Sequence, residues 1–98
     1  MITKKPAARG TATSVTFTLP ADAAMASVAI VGSFNEWNAI AHLMKLDKKK
    51  GVWTKAISLK PGRHAFRYLA DSETWIDDEA PDETEDTAFG SHNGVIVL

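Results

Sequence analysis

At 98 residues, 45% of them apolar, the chain is large enough for one core and too apolar for disorder throughout. It has no cysteine, which excludes a disulfide framework and a thiolate metal site, and its apolar runs, such as Val28-Ala29-Ile30-Val31, are too short to form a membrane-spanning helix. The net charge of −1 hides a segregation: all 11 Lys and Arg lie within residues 1–70 beside Asp22, Glu36 and Asp47, while residues 71–86 hold every other acid and no base.

Residues 1–12 read as a flexible basic N-terminal tail with Lys4, Lys5 and Arg9 and without the apolar core of a secretory signal, so a cytoplasmic location is the default. Residues 13–98 read as the single domain. Ser14 to Leu19 alternates polar and apolar, the period of a half-buried strand, and Pro20 closes it. Asp22 to Ala26 is too short for a stable helix and reads as a connection. Ser27 to Val31 is apolar at nearly every position, as in a central strand covered on both faces. A weaker strand is expected at His42 to Leu46, then a turn at Asp47-Lys48-Lys49-Lys50-Gly51. Val52 to Leu59 resumes alternation and places Trp53 in the core. After the Pro61-Gly62 turn, Arg63 to Ala70 forms the next strand, Trp75-Ile76 a short one, and Val95 to Leu98 the last. The acidic stretch Asp77 to Asp86, with Pro81 and no periodicity, reads as loop. Six or seven short strands and no convincing helix predict a β-sandwich.

Charge and motif content narrow the function. The runs of basic residues, Lys4, Lys5 and Arg9 in the tail and Lys48–Lys50 in a turn, are not gathered along a groove, so no nucleic-acid partner and no membrane partner is expected. His42, His64 and His92 lack metal-ligand spacing, the acidic stretch lacks a calcium-loop pattern at Asp77, Asp78 and Asp82, and no cofactor motif is present. Paired carboxylates for glycoside hydrolysis need a deep cleft, which one acidic loop on a small sandwich does not offer. The informative segment is Gly32-Ser33-Phe34-Asn35-Glu36-Trp37-Asn38, a strand exit that delivers Trp37 into an Asn-rich turn. Asp71-Ser72-Glu73-Thr74-Trp75 is a second Trp-bearing turn. Two tryptophans beside polar turns suggest a platform for a flat ligand such as a sugar ring, whose C–H face matches an indole.

The Gly32–Asn38 segment resembles that of carbohydrate-binding module family 48, which includes the glycogen-binding domain of the AMP-activated protein kinase β subunit and the early-set domains of isoamylase and glycogen-branching enzymes. The likeness runs on through Gly51-Val52-Trp53, Lys60-Pro61-Gly62-Arg63-His64, Phe66-Arg67-Tyr68, Trp75 and Phe89-Gly90-Ser91-His92-Asn93-Gly94. The resemblance implies an immunoglobulin-like (early-set) sandwich of about six to eight short antiparallel strands. It also implies non-catalytic binding of α-1,4-linked glucan: glycogen, starch-like chains or maltooligosaccharides. Trp37 and Trp75 would stack on glucose rings, Arg67 would take the place of a Lys that bonds sugar hydroxyls, and Phe89, Ser91 and Asn93 would complete the site where Leu, Thr and Asn are usual. A glycogen-metabolism enzyme or a kinase-like complex is the expected protein partner. The alternative is an interaction module of the same fold that binds no sugar and docks on a basic partner through the acidic loop 71–86; a further one is an accessory piece of a larger enzyme complex.

Overall fold

The computed structural model of the chain describes residues 2–6, 12–78, 81–87 and 92–98. Period-two alternation builds the first sheet. In β2 (Thr13–Pro20) Val15, Phe17 and Leu19 are buried between partly exposed neighbours, and β5 (Val52–Leu59) buries Trp53, Ile57 and Leu59. Antiparallel register sets Val15 opposite Ile57 and Leu19 opposite Trp53, so the apolar sets share one face. With β1 (Ile2–Pro6) and β4 (Lys45–Asp47) at its edges, the sheet runs β1-β2-β5-β4.

The second sheet joins β3 (Val28–Gly32), β6 (Arg63–Ala70), β9 (His92–Val97) and β8 (Glu83–Asp86) in the order β3-β6-β9-β8, with β7 (Thr74–Ile76) also on β6. The result is an all-β sandwich of two antiparallel sheets, as the strand pattern predicts. Between the sheets Phe17 meets Phe66 and Tyr68 edge-on, with ring centroids 5.3 and 6.3 Å apart, and Phe66 meets Tyr68 at 5.6 Å. Such contacts add about 0.5–1.5 kcal/mol per pair beyond area burial. Trp53 is buried with them and donates its indole N–H to the Ala21 carbonyl at 3.2 Å. Tyr68, fully buried, donates its phenol hydrogen to Asp78, which is also buried, so neither polar group is stranded in the core.

Four segments differ from the sequence expectation. Within the expected tail of residues 1–12, Ile2–Pro6 form β1, paired with β2 from Ile2↔Phe17 to Pro6↔Thr13. Ile2 packs against the core cluster, and the Lys4 ammonium reaches both the Asp82 carboxylate and, at 3.3 Å, the Val97 carbonyl on the other sheet. The acidic stretch contains β8, whose Glu83 is bridged to Arg63 at 2.7 Å. β3 is terminal in its sheet rather than central, yet every residue is buried, because the chain at 42–44 covers its free edge. Ile30 N–H donates to the His42 carbonyl at 2.9 Å and Met44 N–H to the Val28 carbonyl at 2.8 Å. The expected His42–Leu46 strand is therefore divided: Leu43 bridges to β3 in one sheet, and Lys45–Asp47 pair with β5 in the other.

Candidate functional site

The turn that carries Trp37 is built from the backbone of Gly32 outward. A Cβ on Gly32 would stand 2.4 Å from the Ala65 carbonyl oxygen and 2.7 Å from the Phe34 ring. With φ at −163° the backbone is ordinary extended chain, so close approach is what demands glycine here. Past Gly32 the Ser33 hydroxyl accepts the Ala65 N–H at 3.1 Å, continuing the strand contact through a side chain. Asn35 accepts the Gly32 N–H at 3.0 Å and donates to the Ile30 carbonyl at 2.9 Å and to His42 Nδ1 at 2.9 Å. Phe34 anchors the turn from inside, 5.9 Å from the His42 ring and 6.2 Å from the His64 ring. Glu36 and Trp37 then take left-handed φ values of 57° and 59°. That is a strained choice for a bulky side chain, costing on the order of 1–3 kcal/mol per residue. The fixed turn leaves the Trp37 side outward, 43% exposed.

Trp75 is placed by a second left-handed pair. Asp71 and Ser72 have φ of 52° and 61°, and Glu73 N–H donates to the Ala70 carbonyl at 3.1 Å, the φ pattern of a type I′ turn between β6 and β7. The Asp71 carboxylate accepts the N–H groups of Met25 (3.1 Å), Ala26 (2.6 Å) and Ser27 (3.0 Å). Those bonds, Met25 first, hold its carboxyl below the ordinary Asp range and fasten the turn to the chain entering β3.

Register decides which face the site occupies. Val28 and Ile30 point into the main core, so Ala29 and Val31 point out, where they form a separate buried cluster with Leu69. Val31 stands opposite Arg67, and Ala29, Leu69 and Trp75 lie in one cross-strand row. Arg67 and Trp75 therefore share the outer face of the second sheet, with the guanidinium carbon 5.4 Å from the indole centroid. Trp75 is 46% exposed. Arg67 Nε donates to Asp77 Oδ1 at 3.0 Å, and His92 Nε2 lies 3.4 Å from Asp77 Oδ2. Asn93, cross-strand partner of Glu85, donates to its carboxylate at 3.3 Å.

Of the residues the sequence singles out, Arg67 and Trp75 are thus brought into contact, Asn93 lies on the neighbouring β9, and Trp37 projects from the turn at the end of β3. Phe89 and Ser91 lie outside the described residues. Sequence reading missed two neighbours. Leu43, 53% exposed, is bridged to Ala29 and extends the apolar row that ends in Trp75. Asp77, considered in the sequence only for a calcium loop, partners Arg67; neither residue carries a motif, and both are found only through register. Among the described residues no group of three or more His, Asp or Glu could hold a metal ion, and no helix is long and apolar enough to cross a membrane.

Comparison with known proteins gives two findings. A family model described as the glycogen recognition site of AMP-activated protein kinase matches residues 13–97. Over 58 residues the chain is 31% identical to SNF1 protein kinase subunit beta-3 of Saccharomyces cerevisiae, a stretch that is 59% of this chain and 14% of the yeast protein.

Proposed function

The chain belongs to the glycogen recognition family of AMP-activated protein kinase, and from that premise we propose that it holds α-1,4-linked glucan by aromatic stacking and leaves it chemically unchanged. The family is one of glycogen binding, not of catalysis. The observation that carries the finer reading is the joined pair on the outer face: the Arg67 guanidinium 5.4 Å from the half-exposed Trp75 indole. A pyranose sets its C–H face on the indole, and its hydroxyl rim meets the donors of Arg67 and the amide of Asn93. Trp37 supplies a second platform for a further ring of the curved chain, and Phe89, Ser91 and Asn93 belong to the same proposed site. A shallow surface of this kind gives affinities on the order of micromolar to millimolar for short oligosaccharides.

The acids of residues 71–86 argue for this reading over docking of the acidic segment on a basic partner. Asp71 is bonded to backbone N–H groups, Asp77 to Arg67, Asp78 to Tyr68, Asp82 to Lys4, Glu83 to Arg63 and Glu85 to Asn93. Most of that charge already serves the fold. The yeast relative is by name a kinase subunit, and the proposal extends to a comparable place for this chain, in the cytoplasm within a kinase-type or glycogen-enzyme assembly.

Titration with β-cyclodextrin, a rigid mimic of curved α-glucan, tests the reading through tryptophan fluorescence. The wild-type chain should give a saturable change, and Trp75→Ala should abolish it with the far-ultraviolet circular dichroism unchanged. A folded wild-type sample that stays silent to several millimolar refutes glucan stacking.

A further inference from the structure

Arg67 occupies an unusual place in its sheet. Along one edge of β6, residues Arg63–Phe66 pair with β9 and residues Tyr68–Ala70 pair with β7. Arg67 falls at the changeover, between the last partner on one side, Gly94, and the first on the other, Ile76. Asp77, which follows Ile76, fills that gap: Oδ1 takes the Arg67 Nε–H at 3.0 Å, and Oδ2 faces His92 Nε2 at 3.4 Å. The Arg67 side chain is only 18% exposed, against 39% for Asp77 and 51% for His92, so the pair lies with its arginine end sunk in the surface.

We propose that Asp77 is the positioning residue of the sugar site, holding Arg67 through Nε so that the guanidinium stays over Trp75 with its two terminal amino groups directed to sugar hydroxyls. The inference rests on the glucan reading of the site. An arginine has a long, flexible stem, and one already held in its bound geometry gives up less freedom when ligand arrives. Engagement through Nε is the arrangement that leaves both Nη groups outside the ion pair, where the planar fork spans two neighbouring hydroxyls. The His92 ring stands beside the second carboxylate oxygen, with Nε2 3.4 Å away. A glucan carries no charge, so the nearby carboxylate does not repel it.

A double-mutant cycle on the whole chain, read by calorimetric titration with β-cyclodextrin, tests the proposal. Asp77→Ala should weaken binding on the order of tenfold, as loss of a charge-assisted contact does. Asp77→Asn, which keeps an acceptor for Nε–H, should stay within about threefold of wild type. In an Arg67→Ala background Asp77→Ala should cause no further loss, because its effect passes through Arg67. Asp77→Leu, similar in volume, takes the place of Asp77→Ala in the cycle if that variant does not fold. Wild-type affinity in the folded Asp77 variants, or losses that multiply in the double variant, overturn the positioning role while the glucan reading stands. A wild-type chain that binds no β-cyclodextrin overturns both.

Discussion

Asp71 combines two tasks in one side chain: it makes the left-handed turn after β6 and gathers three N–H groups from the chain that enters β3. Because its carboxyl is held below the ordinary Asp range in the folded state, linkage fixes the sign of its pH dependence. The stabilisation is fully present above the ordinary carboxylate range of about pH 4 and disappears as pH falls through the lowered folded value. Thermal midpoints measured from pH 7 down to pH 2 should therefore show Asp71→Asn below wild type by a constant gap near neutrality. The gap should close in acid, where wild type loses the charge the variant never had. A gap that persists at the lowest pH would mean the carboxylate form is not what the turn uses. Residues of this class were half legible. Asp71-Ser72 is turn chemistry in any sequence, but nothing local announces that its carboxylate serves Met25, Ala26 and Ser27. The same holds for the candidate site: Trp37 and Trp75 are visible beside turns and Arg67 through the family resemblance, whereas Asp77 acquires its meaning only from the register of β6 with two different strands.

At the scale of elements, β2 and β5 are legible by alternation, because each buries one face against the core, and β3 and β6 by apolar residues buried on both faces. β1 and β8 were hidden for a shared reason: both are edge strands written in charge. β1 offers one large aliphatic residue, Ile2, beside Lys4 and Lys5, and β8 is Glu-Thr-Glu-Asp. What fixes them is chemistry across the sandwich, between segments far apart in the chain. Asp82 stands at that junction. Partial desolvation is the largest single influence on its carboxyl and pushes it up, yet Lys4 and the Val97 N–H together bring it below the ordinary range. A single oxygen, Oδ2, accepts both the Lys4 ammonium and, at 2.8 Å, the Val97 N–H. The two partners are unequal. Lys4→Met removes a half-exposed ion pair and should cost less than about 1 kcal/mol in urea unfolding. Asp82→Ala loses the bond from the Val97 N–H as well as the ion pair, and should cost about 1–2 kcal/mol. Equal losses in the two variants would show that the ion pair alone holds the edge. Neutralising Asp82 to probe partner docking would, for the same reason, report on the fold.

Across the whole molecule the two outer faces are made of different material. On the first sheet the outward rows are Lys5-Ser14-Ser58, Thr3-Thr16-Ala56 and Thr18-Thr54-Lys45, hydroxyls and ammonium groups without an aromatic. On the second, the outward rows run through Ala29, Leu69 and Trp75 and through Val31 and Arg67. Among the described residues the second face is the one that sets an aromatic beside a donor, and a neutral polymer stacked there is attracted by short-ranged contact rather than net charge. Ionic strength separates this from recognition of a basic partner, since exposed charge pairs fade once the screening length falls to a few ångströms. Ligand at about ten times its dissociation constant adds about 1.4 kcal/mol to folded-state stability. In a domain of this length that raises the thermal midpoint by about 5–10 °C. β-Cyclodextrin should produce that rise in wild type and none in Trp75→Ala, with similar shifts at about 0.05 M and about 0.5 M salt. The same shift in Trp75→Ala, or no shift in wild type at either salt, would take its claim from the aromatic face.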